Sequence, residues 1–552
     1  RKSYLDLISG AIGLTAVPKY YDGQFKLAYD LNNSHKLSMA GIYGHDIIVF
    51  EGDTDYKDED RAGVVDSLGL RDIDVYHEQY AVGMTLSSIW SKSVYSTATL
   101  YYNSYKSDLD VKEQFSRRTF DSKGDASYFK IKERPVFTQN SLNQLGGLRA
   151  ELVWNAEKNY EFSAGAFVGT GDYTNTSYIN GDSVRYWTGT SWIEVQQPAT
   201  VNKTDVEFFS QYKTYQYINN KISLFDERLE LNVGLRYDYF SYSDQGNISP
   251  RASFSYSLIP MLTHLNFSYG EYYQTQNYPT YGDRYNLNIN KNLKNTHARH
   301  FVLGLDHILG PGLRVSVEGY YKSYSDIPID ETYINFYDRT FRSEKKLNVG
   351  KTQSYGFDFL LQQKLVDDLY GTISLSHSST KFEDVRIGHE GEKISSDYDY
   401  PWVVTAVLGQ RFVGFRDMLD ETPFYLKYLS YLMPFSNDME MSFKWRFASG
   451  RPYTSQVWTT NEQPYEGEVR WAAGSWKDAD AVNGSRYPDY HRLDVAIYSR
   501  FNFDKWNMIL FFEMQNIYNR QNIAAYSYNS DGTVDNVYQF SLLPVLGLEI
   551  EF

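Results

Sequence analysis

Residues 313–324, LRVSVEGYYKSY, decide how the chain is to be read. Leu313, Val315, Val317, Gly319 and Tyr321 fall on one side of an extended strand, and Arg314, Ser316, Glu318, Tyr320 and Lys322 on the other, because strand side chains alternate with period two. The same split returns in LELNVGLRYDY (229–239), MEMSFKWRF (439–447) and HRLDVAIYSRFNF (491–503). About 20 such segments can be counted, beginning near Arg1, Gly23 and Lys36 and ending with one near Leu543. Most run about 9 to 13 residues, near the roughly 9–11 that a tilted strand needs to cross a bilayer. Soluble strands are mostly shorter, about 5–6 residues.

Composition agrees with one continuous architecture rather than a string of soluble domains. The 552 residues include 51 Tyr and only 15 Pro, aromatics make up 17%, and no Pro-, Gly- or Ser-rich linker divides the chain, so residues 1–552 read as one domain. There is no cysteine, which removes disulfides and thiolate metal sites. A net charge of -15 without a dense basic cluster argues against a nucleic-acid partner, since phosphate binding needs a basic footprint. No run approaches the roughly 18 apolar residues of a membrane helix, and mean hydropathy is -0.51. Any membrane crossing is therefore made by strands. Arg1 opens directly into RKSYLDLI, which lacks the apolar h-region of a signal peptide, so the sequence is expected to begin after some processing or truncation.

The connections alternate in length. Short ones (NNSH, SKS, AEKN, DER, IPM, GPG, VDD, DK) share one parity; the long ones, 50–75, 107–143, 172–205, 275–297, 326–352, 454–490 and 520–541, share the other. Outer-membrane barrels sort loops in this way, with short periplasmic turns and long extracellular loops. The exception, 413–438, contains FYLKYLSYLMPF and reads as an interfacial helix on the periplasmic side. Tyr102 and Tyr105, Tyr239 and Tyr242, Tyr272 and Tyr273, and Tyr321 and Tyr324 sit at the outer ends of outward-running strands, where an aromatic girdle is expected. Glu230, Arg236, Asp238, Arg314, Glu318, Lys444 and Arg446 should face the lumen, most of them in ion pairs on the wall.

Several stretches in order resemble the TonB-dependent transporters of the Gram-negative outer membrane. They are YINNKISLFDERLELNVGLRYDYF (217–240) followed by NISPRASFSYSL (247–258), then HFVLGLDHILGPGLRVSVEGYYKSYSDIP (300–328), MEMSFKWRFASGRPYT (439–454) and FEMQNIYNRQN (512–522). The resemblance implies an all-β transmembrane antiparallel barrel of about 22 strands with a plugged lumen. RKSYLDLI resembles the outward arm of the family's second hairpin, so a first hairpin and an N-terminal plug domain of roughly 100 residues or more are expected outside this sequence. Implied partners are outer-membrane lipid, the TonB complex reached through that plug, and a small-molecule, glycan or peptide ligand; the implied activity is proton-motive-force-driven import of a scarce bulky nutrient. The barrel pattern alone equally suits a passive porin-like channel, or an outer-membrane scaffold or secretion subunit holding a partner protein.

No catalytic constellation accompanies the barrel pattern: HExxH, GxSxG, Walker and GxGxxG motifs are absent, and no cofactor is implied. His297 and His300 could share a metal only with a third ligand, and solvated histidines are the better reading. Asp53, Asp55 and Asp58 lie in the acidic run EGDTDYKDEDR, whose spacing is not that of an EF-hand; a solvated loop is the better reading there too. The long loops are rich in large aromatics, which offer contact area at low entropy cost. Trp187, Trp192, Tyr278, Tyr281, Tyr333, Tyr337, Trp471 and Trp476 are the candidate ligand-binding residues, weighed equally against mutual packing of the loops. Tyr173, Tyr186, Tyr285, Phe336, Trp458 and Tyr465 belong to the same aromatic groups.

The chain ends on LLPVLGLEIEF (542–552). Alternation of Leu546, Leu548, Ile550 and Phe552 against Gly547, Glu549 and Glu551 reads as the closing strand, which would pair with the first so that no edge stays open in lipid. Gly547, Ile550 and terminal Phe552 also resemble the outer-membrane assembly signal, with Leu546 where a polar residue is expected. Deletion of Phe552 is expected to lower the surface-assembled fraction, measured by surface proteolysis of cells expressing the full-length gene; unchanged assembly would contradict the signal.

Overall fold

The computed structural model describes residues 19–50, 68–120, 126–157, 159–179, 183–187, 192–196, 200–206, 211–281, 289–335, 343, 345–414, 436–459, 475–479, 481–529 and 532–551. Its main sheet has 21 strands. Two are short annexes, Thr200–Val206 and Lys393–Ser395, and the other nineteen form the barrel wall in chain order. These are β1 (Lys19–Asn32), β2 (His35–Phe50), β3 (Leu68–Ile89), β4 (Val94–Phe120), β5 (Ala126–Glu157), β6 (Tyr160–Ile179), β7 (Tyr212–Leu224), β8 (Leu229–Phe240), β9 (Gln245–Ile259) and β10 (Thr263–Gln274). There follow β11 (Thr296–Gly310), β12 (Leu313–Asp330), β13 (Lys346–Val366), β14 (Leu369–Glu383), β15 (Trp402–Phe412), β16 (Asp438–Ala448), β17 (Tyr490–Asn502), β18 (Asn507–Gln515) and β19 (Leu543–Glu551).

Every wall strand pairs antiparallel with its neighbour in sequence. These nineteen correspond one for one with the segments read from the sequence after the first. That first segment, near Arg1, lies outside the described residues. Among the described residues β1 pairs only with β2 and β19 only with β18; the closing contact expected between the last strand and that first segment lies outside the described residues.

Register carries one apolar face from strand to strand. Val233 on β8, Leu303 on β11, Leu408 on β15 and Leu548 on β19 are 57%, 53%, 53% and 59% exposed. Among the described residues, only nine hydrophobic side chains are buried. A soluble protein of this length would hide far more, so these exposed rows face lipid. The opposite face carries Glu230, Arg236, Asp238, Arg314, Glu318, Lys444 and Arg446, as the alternation implies. Arg236 and Asp238 form a short ion pair (2.6 Å) and Lys221 reaches Glu230 at 3.0 Å. Arg314, Glu318, Lys444 and Arg446 make no ion pair among the described residues, so wall pairing covers fewer of them than expected.

Two other expectations change. The stretches 107–143 and 172–205, read as loops, are largely strand among their described residues, and strand extends over 68–75, 326–330 and 346–352 of two others: β4 is 27 and β5 32 residues long. Apolar alternation stops where the strands leave lipid, while the backbone ladder continues without it. The tyrosine pairs do not form one girdle. Tyr102, Tyr239, Tyr273 and Tyr321 lie on the apolar face. Tyr105 turns inward to His77 (3.1 Å), Tyr272 and Tyr324 flank the inward His300, and Tyr242 joins a loop core. Each pair is one or three residues apart, and odd separations split across a strand. The expected periplasmic helix falls on 415–435, outside the described residues.

Glycines in the wall make room for rings lying flat across a neighbouring strand. A Cβ at Gly547 would overlap the Phe511 ring, and one at Gly409 the Tyr370 ring, whose hydroxyl donates to Glu440 at 2.5 Å. Gly409→Leu is expected to destabilise the barrel by about 1–3 kcal/mol through overpacking, read as a lower temperature of heat-modified migration on gels. The double variant with Tyr370→Ala should recover part of the loss.

Candidate extracellular ligand site

The outer connections build three side-chain assemblies. Over β6 to β11, Phe240, Tyr242, Tyr281 and Leu293 form a buried cluster with Tyr278 packed on it. Tyr173 stacks on Tyr278 at 4.8 Å and 11°, and Lys213 Nζ lies 4.5 Å from the Phe240 ring. Tyr278 and Tyr281 occupy a single helical turn, Tyr278–Tyr281. Tyr281 is wholly buried and its hydroxyl oxygen accepts from the Gln276 backbone N–H at 3.2 Å. Burial pushes the Tyr278 phenol up to about 12, so it stays protonated. This assembly joins the connections to one another and leaves little ring surface for a ligand.

A clamp stands over β12 to β17. Tyr333 sits on the turn Glu331–Ile334, with the Arg386 guanidinium 5.9 Å from its ring. Arg386 forks onto Asp384, 2.7 and 2.9 Å to Oδ2, and both residues are buried. Burial alone would raise the Asp384 carboxyl, but the Arg386 hydrogen bonds outweigh it and hold the group below the usual range. Ile387 N–H donates to Ile334 O (3.1 Å), Arg486 donates to Asp399 (2.7 Å) and Asn483 to Asp397 (2.7 Å). Three connections are thereby tied into one unit. Asp384, His389 and Glu392 bring possible ligand atoms within 4.8 Å of one another. Arg386 already occupies Asp384 and its charge opposes a cation.

The third assembly lies over β16 to β19. Tyr453, Tyr487 and Tyr526 meet at 4.4, 5.3 and 5.0 Å. Beside them Trp476 packs edge-on to Trp458 (5.2 Å) and Tyr528 (4.8 Å), and its indole N–H donates to Asn529 O at 2.7 Å. Arg451 lies 5.0 Å from the Tyr487 ring and donates to Ala524 O at 3.1 Å. At the base is a cavity of about 550 Å³ lined by Tyr400, Ser449, Arg451, Tyr487, Tyr490 and Gln539. Its size is that of a small-molecule pocket, and the rings keep part of their surface open.

Of the sequence candidates, Tyr278 and Tyr281 share the first assembly, Tyr333 the clamp and Trp476 the third. Backbone pairing sets Trp187 opposite Trp192 in a short hairpin. Tyr337, Trp471, Phe552, Asp53, Asp55 and Asp58 lie outside the described residues. Ile550 faces lipid beside Met508, and Gly547 lies under Phe511. His297 and His300 point to opposite faces of β11 and cannot share a metal. Arg451, Tyr453, Tyr487 and Tyr526 escape sequence reasoning because they converge from separate connections; the density of loop tyrosine is their only linear signal.

Residues 13–517 match the family model described as TonB dependent receptor-like, beta-barrel. The chain belongs to the TonB-dependent receptor family. Like the rest of that family it is a β-barrel of the Gram-negative outer membrane. No curated protein matches the sequence. Among solved structures, this receptor barrel is similar to the ferripyoverdine receptor of Pseudomonas aeruginosa (12% identity, TM-score 0.65), covering 97% of this chain and 65% of that one. It is also similar to BauA, the ferric preacinetobactin receptor of Acinetobacter baumannii (10%, TM-score 0.58, 98% and 73%), and to the copper transporter OprC (11%, TM-score 0.60, 98% and 72%). The chain thus spans less than two thirds of the length of the ferripyoverdine receptor, and identities this low show a shared fold alone.

Replacing Arg386 with Met leaves Asp384 buried without its partner. The clamp is expected to lose on the order of 2–3 kcal/mol, less than a deep interior pair because it lies in a loop, measured by hydrogen exchange of residues 384–399. Because the folded carboxyl titrates below its unfolded value, its contribution is complete above about pH 4 and disappears as pH falls through the lower folded value. Wild-type protection should follow that course and the variant's should not.

Proposed function

We propose that this receptor barrel imports a scarce, bulky nutrient, captured among the extracellular connections and passed through the lumen with energy relayed by TonB through a plug domain. The work is done by binding and mechanical opening, without covalent chemistry. Family membership supports this reading. The observation that carries it is the cavity at the lumen mouth, where Tyr487 and Arg451 present a ring face and a fixed cation backed by a rigid aromatic stack. Such a surface gives contact area at low entropy cost. Relatives that take ferric chelates or copper make these the first ligands to try here.

The test is uptake of ferric chelates, cobalamin, oligosaccharides and peptides by cells carrying the full-length gene, with and without TonB. Uptake of one class is expected to require TonB, and Tyr487→Ala with Arg451→Ala should weaken its binding about tenfold or more, the loss of a typical interface anchor. Equal uptake without TonB would mean a passive channel and end the proposal.

A further inference from the structure

The outer wall between β10 and β14 carries a second feature that no lumenal ligand can reach. Register lines up Tyr269, Phe301, Tyr321 and Tyr355 as a lateral aromatic row on the lipid-facing side. Two residues further out, the same register aligns Glu271, Arg299, Ser323, Gln353 and Lys381. Lys351 and Lys393 stand on the same face beside them, both reaching Glu383 at 3.8 and 3.1 Å.

This strip is cationic on a chain whose net charge is -15. Among the described residues Arg299 pairs with Glu271, Lys351 and Lys393 share Glu383, and Lys381 donates to the Ser395 hydroxyl at 2.5 Å and approaches one further carboxylate, Asp399. Glu271 also takes His297 (3.2 Å), and Asp399, 3.6 Å from Lys381, is already held by Arg486 at 2.7 Å. Arg299, Lys351 and Lys393 remain 47%, 62% and 46% exposed. Directly below the aromatic row lies an apolar trough of about 530 Å³ between Phe267, Leu303, Leu305, Val317 and Tyr321. It exists because Gly319 leaves open space where any side chain would stand.

An aromatic row marks the level where hydrocarbon gives way to headgroups. A trough on the hydrocarbon side and an excess of Arg and Lys on the headgroup side match one kind of molecule, an acyl chain joined to a phosphate. We infer that this wall binds a phosphorylated outer-leaflet lipid, its chain in the trough beside Gly319 and its phosphate on Arg299, Lys351 and Lys381. Exposed charges alone hold a free anion weakly; the buried chain supplies the remaining affinity.

The probe is diphosphorylated lipid A added to the detergent-purified protein, with bound lipid counted by native mass spectrometry. The wild type should hold it at least about tenfold more tightly than dephosphorylated lipid A. The combined variant Arg299→Gln, Lys351→Gln and Lys381→Gln should abolish that preference, and Gly319→Leu should weaken both lipids. The lumen-facing pair Arg314→Gln and Lys322→Gln should change neither, with folding of every variant checked by heat-modified migration. Equal binding of the two lipids, retained preference in the triple variant, or displacement by millimolar inorganic phosphate would overturn the inference, the last by revealing a small-anion site only.

Discussion

A backbone that crosses hydrocarbon must satisfy every N–H and C=O within the protein, since each unpaired group there costs several kcal/mol. The structure depends on this requirement. It makes neighbours in sequence neighbours in the sheet, because an antiparallel meander with short inner turns satisfies each strand as it is added. It also fixes register: a slip of one residue would turn Val233, Leu303 and Leu408 into the lumen and send Arg236 and Glu318 into lipid.

Above the membrane the same hydrogen-bond ladder continues under different rules. Strands β4 and β5 keep pairing well beyond the lipid without needing an apolar face. The remaining connections gain their order from side chains. Tyr281 buried under Phe240, the Ile387 N–H bonded to Ile334 O, and Tyr487 stacked on Tyr526 each bind together segments far apart in sequence. A mouth held in this way presents its rings at low entropy cost, which suits capture of a dilute ligand.

The barrel was legible from local pattern because lipid imposes a strict alternation that any strand must display. LRVSVEGYYKSY shows it, and the wall strands appear where such segments were counted. The limits of those strands were less legible. Once a strand leaves lipid, only backbone pairing marks it, and a sequence such as SDLDVKEQF reads as loop. Nearby tyrosines misled for a related reason: Tyr272 and Tyr273 share a neighbourhood, but one faces the lumen and the other lipid.

The sequence by itself determined the fold class, the direction of each strand, the face on which each wall residue lies and, by resemblance, the receptor family. All of these follow from a period of two repeated between turns of sorted length. Only the tertiary structure decided which loop aromatics pack against one another, that Arg451 and Tyr487 share a cavity, and that Arg299 and Lys381 join one outward strip. Those juxtapositions depend on contacts between residues tens of positions apart, and no local periodicity encodes them.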